Sequence, residues 1–419
     1  MAIGYACITL GVYGTASHSC IAKNANQDRL REITRQNLEA LERIIDYNIE
    51  NNILLFRISS DIIPFGSHPL NTQRWWEENK ESFDRMHDKI IKSGMRVSMH
   101  PGQYTILNSP KEEVVLKAVE DLKFHHRFLT ALGVDASHKM ILHIGGVYGD
   151  KESAINRFVE SYHKLPESVK ARLVIENDER CYSIHDVCNI SKITGAPVIF
   201  DILHHQINPP MEKKTVYEWI NSVSQTWKKG DGVPKIHYSQ QASGGKQGAH
   251  SQTICSDTFL EFYEEVKQLS IDIMLEVKDK NISAIKCNYR VHADKIHKVS
   301  LEKEWARYKY LILSQSANSY FQMRQLMKID VRDAVKNFYN LIEQAQMLPI
   351  DKGAQQNAAL HVWGYFKDRC TISEKKNFHK RLEGFIQGTT ELQTLKNYLW
   401  KMSEKYNEEY LLNSYYFIK

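Results

Sequence analysis

Apolar residues recur in short runs at nearly even spacing through the first two thirds of the chain. The runs cover residues 3–8, 53–58, 95–99, 139–143, 172–176, 197–201, 234–238 and 271–276. Between them lie longer stretches with apolar residues every three or four positions, the period of a helix with one buried face. In residues 28–50 that stripe is Leu30, Ile33, Leu38, Leu41, Ile44 and Ile45. Helices are likewise expected over 75–93, with Gly94 as C-cap, and over 111–132, 151–164, 183–194, 215–228 and 256–269. Short runs alternating with helices predict a parallel sheet, because a parallel connection needs a crossover element. Eight such units predict an α/β fold, a (β/α)8 barrel of the TIM type.

The pattern changes near residue 295. From there only helices are expected, over 301–327, 330–347, 352–368, 373–387 and 389–407, with Asp330 and Ser373 as N-caps. The chain therefore divides into a barrel domain, residues 1–295, and an all-α C-terminal domain, residues 296–419. The net charge of +5 is uneven: residues 295–419 hold 20 Lys and Arg against 13 Asp and Glu, leaving 35 against 37 before them. A helical domain at +7 fits a role in DNA affinity, although Lys-rich solvated helix faces give the same count.

Several runs end in a residue type that binds metal. Arg96-Val97-Ser98-Met99 leads into His100, Met140-Ile141-Leu142 into His143, and Leu173-Val174-Ile175 into Glu176. Val198-Ile199-Phe200 leads into Asp201, Pro234-Lys235-Ile236 into His237, and Ile273-Met274-Leu275 into Glu276. One histidine after a strand means little. Six consecutive strand ends of this kind converge on one face of a parallel barrel, the face that carries active sites. Imidazole and carboxylate suit zinc, manganese or iron, and there are more candidates than one ion takes, so the expectation is a multi-metal cluster.

Other features exclude alternatives. The seven cysteines are scattered without a C-x-x-C pair, which argues against a disulfide framework and a thiolate zinc site, and for a reducing compartment. No basic segment precedes the first apolar run and no run reaches the roughly 18 residues of a membrane span, so a cytoplasmic protein without membrane partners is expected. No G-x-G-x-x-G follows the first strand, so no nucleotide cofactor is expected.

With these residues laid out, the first 295 resemble the UV damage endonuclease family, which shares the barrel of endonuclease IV and xylose isomerase. The resemblance is carried by Gly4-Tyr5, Phe56-Arg57-Ile58-Ser59-Ser60-Asp61, His100-Pro101-Gly102-Gln103-Tyr104, Leu107-Asn108-Ser109-Pro110, His143-Ile144-Gly145-Gly146 and Glu176-Asn177-Asp178. It continues in Asp201-Ile202-Leu203-His204-His205, Lys235-Ile236-His237-Tyr238-Ser239 and Met274-Leu275-Glu276-Val277-Lys278-Asp279-Lys280. It departs at Thr9, where the family often has Asn, so any DNA contact carried by that Asn is not carried over. The tail resembles the YbgA-like domain, of unknown function, in His297, Tyr308-Lys309-Tyr310, His361-Val362-Trp363-Gly364-Tyr365-Phe366, Glu374-Lys375 and Tyr410-Leu411.

The resemblance implies a monomeric, nucleoid-associated repair enzyme that nicks double-stranded DNA 5′ to UV photoproducts, and at abasic sites as a further substrate, leaving 3′-hydroxyl and 5′-phosphate ends. It implies three divalent ions, manganese first, with zinc or magnesium as alternatives. His100, His143 and Glu176 are assigned to one ion, Glu176, Asp201, His237 and Glu276 to a second, and His204 and His250 to a third. Lys235, two residues before His237, shares its strand face. The family implies a carboxylated lysine there, so Lys235 joins Glu176, His237 and Glu276 as catalytic candidates. Gln103 and Tyr104 match the family's damage-probing pair, with Tyr5 and His68 as further DNA contacts and Arg57, Lys111, Lys246 and Lys278 as rim cations. The competing readings are a sugar isomerase or epimerase on the same barrel, with fewer ions and no use for a Gln-Tyr wedge, and a non-enzymatic role for the basic tail.

Overall fold

Each apolar run contributes a four-residue strand: β1 (Ile3–Ala6), β2 (Leu55–Ile58), β3 (Arg96–Met99), β4 (Met140–His143), β5 (Leu173–Glu176), β6 (Val198–Asp201), β7 (Lys235–Tyr238) and β8 (Asp272–Leu275). In the computed structural model, which describes residues 1–418, the strands are parallel and close a barrel in sequence order. Strands covered on the inside by one another and on the outside by helices must be apolar on both faces. β1 and β5 to β8 are buried along their whole length.

Two local solutions hold the ring shut. A Cβ on Gly4 would lie 1.9 Å from the Leu55 carbonyl oxygen, so β1 and β2 approach as closely as they do only because that side chain is missing. The β3–β4 ladder has a single registered pair, Met99 with Met140. His138 compensates from just before β4, its Nδ1 accepting the Val97 N–H at 3.1 Å. Burial pushes His138 down to about 4, with Arg96 and Arg172 adding to it, which keeps that nitrogen unprotonated as an acceptor.

The helices follow the expected stripes with three differences. Residues 75–93 divide at Asn79 into Trp75–Glu78 and Lys80–Ser93, the Asn79 side-chain amide donating to the Trp75 carbonyl at 2.9 Å. Gly94 ends the second piece with φ +69°. A short helix, Ile202–Ile207, starts directly at β6 with Asp201 as its N-cap. A further helix, Asn281–Val291, follows β8. It escapes a periodicity reading because Asn281, Ser283, Lys286, Asn288 and Arg290 are buried along with its apolar residues, so no one-sided stripe marks it.

The chain separates into two units, one of Met1–Thr9 with Thr15–Cys287, the other of Leu10–Gly14 with the chain from Asn288 onward. The second unit contains the helices Lys298–Gln315, Ala317–Leu326, Val331–Gln346, Lys352–Trp363, Ile372–Gln387 and Leu392–Lys405. Its core includes Val362, Trp363, Phe366, Phe378, Leu395 and Leu399, with Trp363 stacked on Phe378 at 4.2 Å. Asp330 caps its helix as expected. The expected helix 301–327 is interrupted at Ser316, which caps the next helix through the Ser319 N–H, and Thr371 with Glu374, not Ser373, forms the cap of Ile372–Gln387. The strap Leu10–Gly14 belongs here: Gly11 has φ +65° and a Cβ on it would lie 2.6 Å from the Tyr415 ring.

The Gly4 contact generates a prediction. Gly4→Ala inserts a methyl against backbone that cannot rotate away, and overpacking of this kind costs about 3 kcal/mol. Urea unfolding should show that loss, and an unchanged midpoint would contradict the close β1–β2 approach.

Candidate metal centre and active face

Strand register sets the expected ligands side by side. His143 on β4 is paired with Glu176 on β5, and Asp201 on β6 with His237 on β7. His100 and Glu276 stand one residue beyond β3 and β8. Ligand atoms of His100, His143 and Glu176 lie within 4.8 Å of one another, and so do those of Glu176, Asp201 and His237. Glu176 belongs to both groups, and its oxygens divide between them. Oε2 is 3.2 Å from His100 Nε2 and 3.7 Å from His143 Nε2, while Oε1 is 2.5 Å from His237 Nδ1.

The remaining expected ligands adjoin these groups. Glu276 Oε1 is 3.4 Å from His237 Nδ1 and its Oε2 is 3.8 Å from His250 Nε2. His204 Nδ1 is 3.7 Å from Asp201 Oδ1. His205 turns away, its ring 5.0 Å from Phe200 and 6.1 Å from Trp219.

The electrostatics of the site are uneven. Burial alone would raise the Glu176 carboxyl, but His237, His100 and His143 hold it well below the usual carboxylate range. Burial pushes Asp201 up to about 7, with Glu176 and Glu276 adding to the rise. Burial pushes His143 down to about 4. His204 goes the other way, up to about 9, because Asp201, Glu176 and Glu276 outweigh its burial.

The donor set fits divalent ions. Asp201 Oδ2, His237 Nε2 and His143 Nδ1 are buried and have no hydrogen-bond partner among the described residues. The two imidazole rings face Glu176 with their other nitrogens. Buried polar atoms are nearly always paired, so the bare Asp201 oxygen, in the group with Glu176 and His237, marks a place where something else completes the bonding. The His, Glu and Asp groups could thus hold metal.

A second layer, which the sequence did not single out, fixes the first. The Asn177 side-chain amide donates to the Asp201 carbonyl at 3.0 Å, its oxygen accepts the Asp201 N–H at 2.9 Å, and its own carbonyl meets His204 Nδ1 at 3.0 Å. That leaves His204 Nε2 as the free nitrogen, 3.8 Å from Glu179 Oε2. The Ser60 hydroxyl donates to the His100 carbonyl at 2.5 Å and is itself 2.9 Å from His125 Nε2. The only sequence signal for Asn177 was its place directly after Glu176.

Lys235 lies inside the barrel, its ammonium nitrogen 2.8 Å from the Ser98 hydroxyl. Burial lowers its pKa well below the usual lysine value, and Arg96 and Arg57 push the same way.

The expected DNA contacts divide. Gln103 and Tyr104 occupy the centre of a tight turn closed by the Thr105 N–H on the Gly102 carbonyl at 2.8 Å. Both are exposed, Tyr104 by 70%. A Cβ on Gly102 would lie 2.4 Å from the Tyr104 ring, which folds over this glycine. Thr105 and Ser67 both donate to Asp121, at 2.6 and 2.8 Å, which anchors the turn. His68 is exposed, with Nδ1 accepting the Leu70 N–H. Lys111, Lys246 and Lys278 are exposed.

Two expectations need correction. Tyr5 is 0% exposed, its phenol bonded to Thr9 at 2.6 Å and to Asn48 at 2.9 Å, so it packs beneath the first loop and presents nothing to DNA. Arg57 is an interior residue and no rim cation: its guanidinium is ion-paired with Glu276 and both side chains are largely buried.

Comparison with known proteins gives the family. Residues 4–306 match the family model for UV-endonuclease UvdE, and residues 309–419 match a model for a protein of unknown function, DUF1722. A UV DNA damage endonuclease from Clostridium perfringens (strain 13 / Type A) is 41% identical over 408 residues, covering 97% of this chain and 96% of its own. Another from Bacillus cereus (strain Q1) is 33% identical over 276 residues, covering 63% of this chain and 84% of its own. A crystal structure of SacUVDE superposes with a TM-score of 0.66 at 38% identity, covering 71% of this chain and all of that one.

Because the Glu176 oxygens face two ligand groups, Glu176→Gln should lower bound metal per chain by more than His100→Gln or His250→Gln does. Elemental analysis of the purified variants measures this, and equal losses in all three would show that Glu176 is an ordinary terminal ligand.

Proposed function

The chain belongs to the UV-endonuclease family, and from that premise we propose that it nicks duplex DNA on the 5′ side of UV photoproducts, and at abasic sites, leaving a 3′-hydroxyl and a 5′-phosphate. In that reaction the P–O3′ bond breaks, a water oxygen is added to the 5′-phosphate, and the 3′ oxygen takes up a proton. The observation that carries the proposal is the pair of ligand groups sharing Glu176 beside the exposed Gln103–Tyr104 turn. A sugar isomerase has no use for that turn.

His100, His143 and Glu176 would hold one ion, Glu176, Asp201, His237 and Glu276 a second, and His204 with His250 a third. Three divalent ions, manganese first with zinc or magnesium as alternatives, would supply Lewis acidity and an activated water at the scissile phosphate. Around them the protein's own groups have separate tasks. Gln103 and Tyr104 enter the gap at a lesion, where bases unstack more cheaply than in intact duplex. His68, Lys111, Lys246 and Lys278 contact the strands around the mouth. Asn177 keeps Asp201 and His204 in register. In this reading the enzyme acts as a monomer on nucleoid DNA in the cytoplasm, residues 1–295 carry the chemistry, and residues 296–419 form a separate module adding affinity for DNA.

Lys235 is proposed to be carboxylated. Its amine is enclosed, bonded to the Ser98 hydroxyl. The nitrogen lone pair adds to carbon dioxide and a proton is released, giving a carbamate that would offer anionic oxygens to ions held on the face it shares with His237.

The protein should nick UV-irradiated duplex, lose that activity with chelator, and leave ends that a polymerase extends and a ligase joins; cleavage of neither irradiated nor abasic duplex would overturn the proposal. In a binding titration, joint replacement of Gln103 and Tyr104 by Ala should weaken binding to irradiated DNA by roughly 1–3 kcal/mol while intact duplex is little affected. Carboxylation of Lys235 predicts a carbamate signal in carbon-13 NMR after labelled bicarbonate, absent from Lys235→Ala. A wild-type spectrum without it would show an unmodified lysine.

A further inference from the structure

The loop after β4 contains a residue that the turn it occupies does not favour. Residues 147–150 form a turn closed by the Asp150 N–H on the Val147 carbonyl at 3.0 Å. Its central residues both have positive φ, Tyr148 at 51° and Gly149 at 82°. That is the turn geometry for which Asn-Gly or Gly-Gly is preferred, and a bulky residue at the first central position is an outlier. Local backbone preference therefore does not account for tyrosine here.

Strain of this kind is concentrated on the active face. Among the described residues, six that are not glycine have positive φ. Asn52 and Asn407 are asparagines, the type that tolerates it. Cys7, Phe65, Tyr148 and Lys280 lie on the loops after β1, β2, β4 and β8. Strained residues of this sort persist where a site needs them. Tyr148 combines the strain with exposure, since 45% of it is accessible.

The ring is also held in place. Arg157 lies over it, its guanidinium carbon 5.6 Å from the ring centroid. The same Arg157 donates through Nε to the Asn108 carbonyl at 2.9 Å. Asn108 in turn donates through Nδ2 to the Gly146 carbonyl at 2.7 Å, an oxygen that also accepts the Tyr182 hydroxyl at 3.1 Å. Gly145, with φ +113°, lets Asn108 approach, since a Cβ there would lie 2.3 Å from Asn108 Oδ1. Asn108 lies on the loop that carries Gln103 and Tyr104, so that loop and the Tyr148 loop are tied through one side chain. An exposed tyrosine backed by a cation, on a loop tied to the one that carries a second exposed aromatic, suits base stacking of the kind single-strand binders use.

We propose that Tyr148 is a second base-stacking platform of the active face, receiving a nucleobase of the lesion-bearing duplex while Gln103 and Tyr104 occupy the lesion itself. The proposal rests on the endonuclease reading. Opening a duplex at a lesion unstacks bases on both sides of it, and Tyr148 gives one of them a surface to rest on.

The test compares Tyr148→Ala, Tyr148→Gly and Tyr148→Phe in the metal-loaded full chain. Affinity for UV-irradiated duplex is read by fluorescence anisotropy, alongside kcat and KM for nicking. Ala and Gly should weaken binding about tenfold, the range set by stacking of one base. KM should rise with kcat unchanged, and Phe should restore binding because the ring face does the work. Gly, free of the φ penalty, separates loss of the ring from backbone strain that Ala retains. Wild-type-like binding by Ala and Gly, in a protein that nicks normally, would overturn the inference and leave the endonuclease reading standing. A Phe variant as weak as Ala would also overturn it. A wild-type protein that neither binds nor nicks irradiated DNA would fail the underlying reading instead.

Discussion

An ionised carboxylate has no business inside a closed barrel unless positive charge meets it there. Glu176 is 1% exposed, and three histidines from three other strands surround it. Desolvating a lone carboxylate costs far more than one hydrogen bond returns, so the group requires cations or proton donors on both oxygens. This requirement organises the active face. His100 and His143 serve one oxygen and His237 the other. Asp201 and Glu276 stand in the same space, where Arg57 is paired with Glu276 and His204 lies beside Asp201. The crowding shows in Asp201, pushed up to about 7, and in His204, pushed up to about 9. Divalent ions held there would relieve both at once.

Beneath that layer the balance is made differently. Arg96 is ion-paired with Asp272 at 2.9 Å, and Lys235 bonds the Ser98 hydroxyl. The barrel interior thus changes from paired charges at its base, to a buried amine in the middle, to clustered carboxylates and imidazoles at the top. Lys235 sits at the transition, where burial and the charges of Arg96 and Arg57 oppose its protonation.

Much of this was legible in the sequence because barrels translate sequence order into space. Eight apolar runs became eight strands, and residues at strand ends became neighbours without any need to know side-chain packing. The failures have physical causes. Tyr5 and Arg57 each stand at or beside a strand end, yet a residue there can point under a loop or into the barrel, and spacing alone does not say which. Thr9 and Asn48 take the Tyr5 phenol; Glu276 takes Arg57. The helix Asn281–Val291 is buried on polar and apolar positions alike, so periodicity had nothing to detect. The strap Leu10–Gly14 joins the second unit through contacts with residues some 400 positions away, such as the Tyr13 N–H on Asn413. Tyr148 was passed over because its significance is a backbone angle, which composition does not reveal.

Asn177 shows why the second layer matters as much as the ligands. An aspartate in its place could accept the Asp201 N–H but could not donate to the Asp201 carbonyl, and would set a third carboxylate against Glu176 and Asp201. A leucine would leave the Asp201 N–H without this partner in a dry interior, at a cost of roughly 1–3 kcal/mol. Only a side-chain amide both donates and accepts in one plane, and here it couples β5 to β6 at the point where their ligands must stay in register. Its carbonyl then receives the His204 Nδ1 proton, which fixes the tautomer and leaves Nε2 for coordination. One residue therefore joins Asp201 and His204 to the strand that carries Glu176, through hydrogen bonds of about 3 Å.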